Sequence, residues 1–166
     1  MNITFRDAVF FIALMSTAMA LGPSFAHLFE LPNKIGLARD AYFTVQQIYA
    51  GWNRLAYLLV IELVSMLALA VLMWHHTRAF YAAAVAILAL AAAQAVFWLF
   101  TYPANVATNN WTTIPADWDS WRRQWEFSHA VGAFCQLTAM GALIVSLLAR
   151  PVEQLATKVR HASLPL

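Results

Sequence analysis

Charge is what this sequence has least of. Only 11% of its residues are Asp, Glu, Lys or Arg, and 62% are apolar or aromatic; an ordinary soluble domain has about 25% and roughly 45–50%. A chain so short of charge does not clothe a water-facing surface, and a separate soluble domain is excluded. Cysteine is almost absent too. Cys135 stands alone inside an apolar run, so it forms no intramolecular disulfide and reads as a small packing residue. The net charge of +2 comes with no basic run or patch, which leaves a nucleic-acid partner without an electrostatic footprint. There is no internal repeat.

What is present is length of apolar chain. A helix needs about 20 mostly apolar residues to cross a bilayer, and four stretches qualify, at about residues 8–31, 52–74, 79–101 and 125–148. The expected fold is therefore all-α: one transmembrane domain over residues 1–166, an integral membrane four-helix antiparallel bundle. Arg6 followed by an apolar core and Ala18-Met19-Ala20 resembles a cleavable secretory signal. The apolar run nevertheless continues to Leu31, long enough to be retained as a first span. Gly22-Pro23 is expected to bend that helix, and Pro32-Asn33-Lys34-Ile35-Gly36 to end it with turn chemistry. Ala41, Val45, Ile48 and Trp52 then recur at helical spacing, predicting an amphipathic interfacial helix joined to the second span at Gly51. Tyr42, Tyr49 and Trp52 fit an aromatic belt. The short Trp74–Arg78 connection makes spans two and three antiparallel neighbours. Its adjacent histidines, His75 and His76, point apart on a helix and lack a third ligand nearby. The tail from Val152 to Leu166 reads as interfacial or solvated.

The strongest polar residues inside the spans are few and lie in one half, the other half holding only a few hydroxyls. His27 and Glu30 are i, i+3 on the first span, Glu62 lies on the second, Gln94 on the third, and Glu126 and His129 are i, i+3 on the fourth. Ionisable groups within a bilayer usually face the bundle interior or a wet cavity and have a partner, because exposure to lipid costs at least about 2.5–3.5 kcal/mol. These groups therefore predict a vestibule near one mouth, roofed by the amphipathic helix and by the Trp-rich loop at residues 101–124. From Pro115 that loop reads as helical, with Trp118, Trp121 and Trp125 in a stripe and Arg122 one turn before Glu126.

Three chemistries remain open for such a vestibule, together with a non-enzymatic one. His129 backed by Glu126, or His27 backed by Glu30, with Glu62 deeper, would serve acid–base catalysis near neutral pH without a cofactor. Asn105, Asn109 or Arg122 would hydrogen-bond a substrate oxygen, while Trp111, Trp118, Trp121, Trp125 and Gln94 would line the substrate. A di-metal centre would draw on His27, Glu30, Glu62, Glu126 and His129, although the third span offers only Gln94 where a carboxylate is required. Haem b between His27 and His129 is the remaining cofactor alternative. A non-catalytic binding or partner subunit, its polar groups merely joining helices, also fits.

The frame AHLFELPNKIGL with VQQIYAGW, then FTYPANVATNNWTTIPADW and RRQWEFSHA, resembles the small four-span membrane proteins grouped with anthrone oxygenases, a family whose members mostly have no assigned function. The resemblance runs along nearly the whole chain. It implies an oxidoreductase that uses dioxygen on a small flat apolar molecule, anthrone- or quinol-like, and it transfers no particular substrate. The bilayer, dioxygen and an apolar substrate are the expected partners, with a homo-oligomer left open. Orientation is undecided by charge. Arg6, Arg78, Arg150, Lys158 and Arg160 on the side of the termini face Lys34, Arg39, Arg54, Arg122 and Arg123 on the other. Cytoplasmic termini in a bacterial inner membrane are the expectation, since the second set has acidic groups to pair with.

Overall fold

The computed structural model describes residues 3–150, so the reading of the tail, with Lys158 and Arg160, lies outside the described residues. Six α-helices follow one another: α1 (Phe5–Lys34), α2 (Arg39–Gln46), α3 (Leu55–Met73), α4 (Thr77–Val96), α5 (Tyr102–Ala107) and α6 (Trp118–Leu148). Four stretches, Phe5–Lys34, Trp52–Met73, Thr77–Ala107 and Trp118–Leu148, are long and apolar enough to cross a membrane. They form the expected bundle: α1 packs on α3 and α6, and α4 packs on the same two helices. Large apolar side chains such as Phe11, Val64, Leu88 and Phe134 point outward, the reverse of a soluble core and the arrangement lipid favours.

The half bearing the termini is held by close apolar packing. Phe10, Ala13, Leu69, Met73, Ala79, Ala86 and Leu143 are buried together, small residues letting the helices approach. The Ser146 hydroxyl donates to the Ala79 carbonyl at 2.8 Å, joining α6 to α4. At the mouth, Thr4 and Asp7 form a capping box and Asp7 pairs with Arg150.

Three boundaries differ from the sequence reading. Helix α1 does not end at Pro32 but runs through it to Lys34, with Ile35 N–H bonding the Leu31 carbonyl at 2.9 Å. A proline costs a helix one hydrogen bond, and here that loss keeps Lys34 on the stripe of His27 and Glu30. The third span also continues past Thr101. A π-helical turn at Phe97–Thr101 precedes Pro103 and carries the chain into α5. Such turns are often found at functional sites, and this one sets the Thr101 hydroxyl 2.7 Å from that of Ser128 and exposes the Phe100 carbonyl to Gln124 Nε2 at 2.8 Å. Finally, α2 turns a different face inward. Tyr42, Phe43 and Gln46 are buried, whereas Ala41 and Ile48 are exposed. The hydrogen bond of Tyr42 to Glu126 on α6, with Gln46 bonding Tyr42, outweighs the apolar stripe. Two 3₁₀ turns, Gln47–Tyr49 and Trp52–Arg54, flank Gly51, whose φ of 85° makes it the joint the sequence suggested.

Candidate functional site

Extending α1 through Pro32 puts His27, Glu30 and Lys34 on one face at i, i+3 and i+7, opposite Trp125, Glu126 and His129 of α6. Lys34 is the hub. Its Nζ lies 3.1 Å from Glu126 Oε1 and 3.6 Å from Glu30 Oε2, and it donates to the Tyr49 hydroxyl oxygen at 2.8 Å. Tyr49 in turn donates to Glu30. On the other flank the Tyr42 hydroxyl donates to Glu126 Oε1 at 2.9 Å and accepts from Gln46 Nε2. Carboxylates, ammonium, phenols and amide thus form one connected network at the bundle mouth, with Lys34, Glu126, Tyr42 and Gln46 buried and Glu30 and Tyr49 half-buried at its edge. Burial, followed by the charge and hydrogen bond of Glu126, pushes the Tyr42 phenol above its ordinary ionisation range. Burial, followed by the hydrogen bond to Glu30 and the nearby carboxylate charges, does the same to Tyr49.

The two imidazoles meet beside this network, their ring centroids 4.2 Å apart. His129 also packs on Trp125 at 3.9 Å. His129 Nδ1 lies 2.9 Å from the Trp125 carbonyl oxygen. Because that oxygen only accepts, it places the ring proton on Nδ1 and leaves the Nε2 lone pair available. His27 is buried at the centre of a ring cluster, with Tyr49 at 4.6 Å, Trp52 at 5.4 Å and Trp125 at 5.0 Å. Its Nδ1 and Glu126 Oε2 are buried with no hydrogen-bond partner among the described residues.

The Trp-rich loop roofs the site through one side chain. The Asn105 Oδ1 accepts both the Trp125 indole N–H at 2.9 Å and that of Trp111 at 3.3 Å. Asn109, Asn110 and Trp111 all take positive φ, of 46°, 53° and 65°. That conformation is costly for a tryptophan. It turns the buried Trp111 ring onto Tyr42 at 5.2 Å and its carbonyl toward Gln47 Nε2 at 2.8 Å, so that α2 and the loop are tied together.

Not every expected residue joins the cluster. His27, Glu30, Glu126, His129 and Trp125 do. Glu62 is fully buried, as a carboxylate in a bilayer should be, but it accepts from Gln136 Nε2. Gln136 lies seven residues beyond His129 on α6, about 10 Å deeper. Gln94 is half-buried on α4, seven residues before the Thr101–Ser128 contact. Asn109 is exposed and bonds Thr112 within the loop. Asn105 is occupied by the two indoles. Arg122 is buried but committed: Nη1 donates to the Leu37 carbonyl at 2.7 Å, Nη2 pairs with Asp119, and the guanidinium lies over the Trp118 ring at 4.7 Å. Trp118 and Trp121 are half-buried and pack on the Tyr42–Trp111 group, away from the imidazoles.

The expected vestibule is filled by rings. Two hollows in the surface lie elsewhere: a shallow one of about 240 Å³ by Tyr102, Asn105 and Asn110, and one of about 670 Å³ by Thr77, Tyr81, Val85 and Leu148 at the opposite mouth. The cofactor alternatives meet this geometry poorly. Imidazoles in contact leave no width for a haem macrocycle between them, and with Glu62 two turns away no group of three or more His, Cys, Asp or Glu among the described residues is placed to hold a metal ion.

Lys34, Tyr42, Gln46 and Tyr49 are the site residues that sequence reasoning missed. Lys34 was hidden by Pro32, and the tyrosines by their resemblance to belt residues. Seven-residue spacing from His27 to Lys34 was the available signal. Compared with known protein families, with curated proteins and with solved structures, the chain finds no match.

Proposed function

We propose that this multi-pass membrane protein is an oxygenase-like oxidoreductase acting on a small flat apolar molecule drawn from the bilayer, with His129 as the base. The observation that carries this reading is the fixed tautomer of His129: its Nδ1 is engaged by the Trp125 carbonyl, which leaves the lone pair on Nε2, and its ring packs against those of Trp125 and His27. A base of that kind removes the acidic methylene C–H proton of an anthrone-like substrate, or the phenolic O–H proton of a quinol-like one. The resulting anion is electron-rich enough to react with dioxygen directly. For an anthrone the balance is a methylene and O2 giving a carbonyl and water, with the two methylene hydrogens leaving in the water and no external reductant. Trp125 and His27 supply faces for the substrate rings, and Glu126 acts through Lys34 as a positioning group.

The termini belong on the cytoplasmic side of a bacterial inner membrane in this reading, because Lys34, Arg122 and Arg123 are paired with acidic groups and Arg39 with Asp40. The test is conversion of anthrone to anthraquinone, followed by absorbance, in protein reconstituted into nanodiscs. His129→Gln keeps hydrogen-bonding capacity and removes the base; turnover falling by about 100-fold or more supports the reading, and turnover at the wild-type rate refutes it. A second reading, a non-catalytic partner subunit, is favoured by one observation: the rings of Tyr49, Trp52 and Trp125 already fill the space around His27.

A further inference from the structure

If a flat molecule is bound among these rings, something occupies its place in this structure, and Tyr49 has the attributes of a stand-in. Its ring lies against His27 at 4.6 Å, Trp52 at 5.0 Å and Trp125 at 5.5 Å. Its oxygen takes a hydrogen bond from Lys34 Nζ at 2.8 Å and gives one to Glu30. The side chain is a flat ring bearing one hydroxyl, seated in an aromatic slot beside an imidazole.

Its backbone is built differently from that of its neighbour Tyr42. Tyr42 is fully buried within α2, whereas Tyr49 is half-buried and ends a three-residue 3₁₀ turn. Exposed Ala50 and Gly51, the latter at positive φ, separate it from the next turn. An outward swing of residues 48–51 about Gly51 would unwind neither α2 nor α3 and would leave the Gln47–Trp111 hydrogen bond in place. Lys34 would then lose one acceptor from its 2.8 Å contact while keeping Glu126 and Glu30. Of the residues named from the sequence as donors, Asn109 bonds its own loop and Arg122 the Leu37 carbonyl and Asp119, while Asn105 is held through its Oδ1 by two indoles.

We infer that Tyr49 is an internal plug standing where the substrate binds, and that the substrate is a hydroxylated flat aromatic, a phenol or enol, whose oxygen replaces the Tyr49 hydroxyl between Lys34 and Glu30. Lys34 is then the oxyanion-binding residue of the reaction, placed to hold the negative oxygen of the phenolate or enolate, the same enolate that loss of the C–H proton from the keto tautomer gives. The inference rests on the substrate-binding reading above and names the substrate class and the group that recognises it.

The probe is 2-naphthol, compared with naphthalene, which has the rings and lacks the hydroxyl. Binding to the full-length protein in nanodiscs is followed by probe fluorescence, with empty nanodiscs subtracted. The wild type is expected to prefer 2-naphthol by about tenfold or more. Tyr49→Phe keeps the plug but removes its two hydrogen bonds, so 2-naphthol should bind about five- to tenfold more tightly. Glu30→Gln and Lys34→Gln should both reduce the preference for the hydroxyl. Should Lys34→Gln fail to fold, Tyr49→Phe and Glu30→Gln decide between them. Equal binding of the two probes by wild type, or unchanged or weaker 2-naphthol binding by Tyr49→Phe, overturns the inference. Hydroxyl-selective binding without oxygen-dependent turnover would retain the slot and remove the oxygenase reading. Turnover that depends on His129 while Tyr49→Phe leaves binding unaltered would do the reverse, and no binding of either probe removes both.

Discussion

The two mouths of this bundle are made from the same four helices and obey different rules. Toward the termini, Phe10, Ala13, Leu69, Met73, Ala79 and Leu143 pack without a buried charge, and the Asp7–Arg150 pair stays at the rim. Toward the other mouth, the same helices bury Lys34 and Glu126, line up two imidazoles and recruit α2, a π-helical turn and three positive-φ residues to cover them. The first mouth shows that four helices of this composition associate through an apolar core, with their ion pair at the rim and not within it. Buried ionic groups are weak evidence for stability, since apolar replacements often do as well. The charges of the second mouth therefore call for a reason other than holding helices together, and the binding and chemistry proposed above would supply one.

Several experiments would break or sharpen that contrast. The largest structural effect is expected at Lys34. Lys34→Met strands the Glu126 carboxylate in a buried site, and denaturation in detergent should show a loss of about 3–5 kcal/mol. Converting both residues, as Lys34→Met with Glu126→Gln, should recover much of it while abolishing function. If the double variant stays as unstable as the single one, the network is architectural. Asn105→Ala should cost about 2 kcal/mol, one hydrogen bond for each indole it releases, with Trp fluorescence shifting as the roof loosens. An unshifted spectrum would mean that the loop is not held by Asn105.

Alkaline titration probes the same mouth by another route. The Tyr42 and Tyr49 phenols are raised by burial and neighbouring carboxylates, whereas in the unfolded chain they ionise near about 10. The folded state thus keeps its phenolic protons where the unfolded state has lost them. Their contribution to stability is complete below about pH 10 and declines as pH rises beyond it. In a tyrosinate absorbance titration, Tyr42→Phe should remove amplitude only from the most alkaline part of the curve; loss of amplitude near pH 10 would place Tyr42 in water. The smallest effect belongs to the opposite mouth. Asp7→Asn should leave the melting temperature almost unchanged, because the pair it breaks is accessible to solvent.

Much of this was legible before any coordinates. Apolar run length gave the four spans, and the cost of charge in lipid predicted that His27, Glu30, Glu62, Gln94, Glu126 and His129 would line one vestibule; His27, Glu30, Glu126 and His129 come together, whereas Glu62 turns inward at a deeper level and Gln94 is half-buried on α4. Less legible was whatever depended on a residue overriding its usual habit. Pro32 normally ends a helix, yet α1 runs on because the next two residues bring Lys34 to its carboxylates. Ala41, Val45 and Ile48 make the better apolar stripe, but Tyr42 has a partner on α6 and Gln46 bonds Tyr42, so that these two win the inner face. Trp118 and Arg122 continue the helical stripe of α6 and still miss the site, since Asp119 and Leu37 claim the guanidinium. A one-dimensional pattern places residues on a face and does not reveal which partner reaches it first.

The account comes down to whether the polar mouth does chemistry or merely joins helices, and oxygen uptake by His129→Gln protein that melts at the wild-type temperature asks this directly. With an anthrone supplied in nanodiscs, the account predicts uptake by the wild type at one O2 per substrate and uptake reduced by about 100-fold or more in the variant. Equal uptake by both proteins, or none by either, would contradict it.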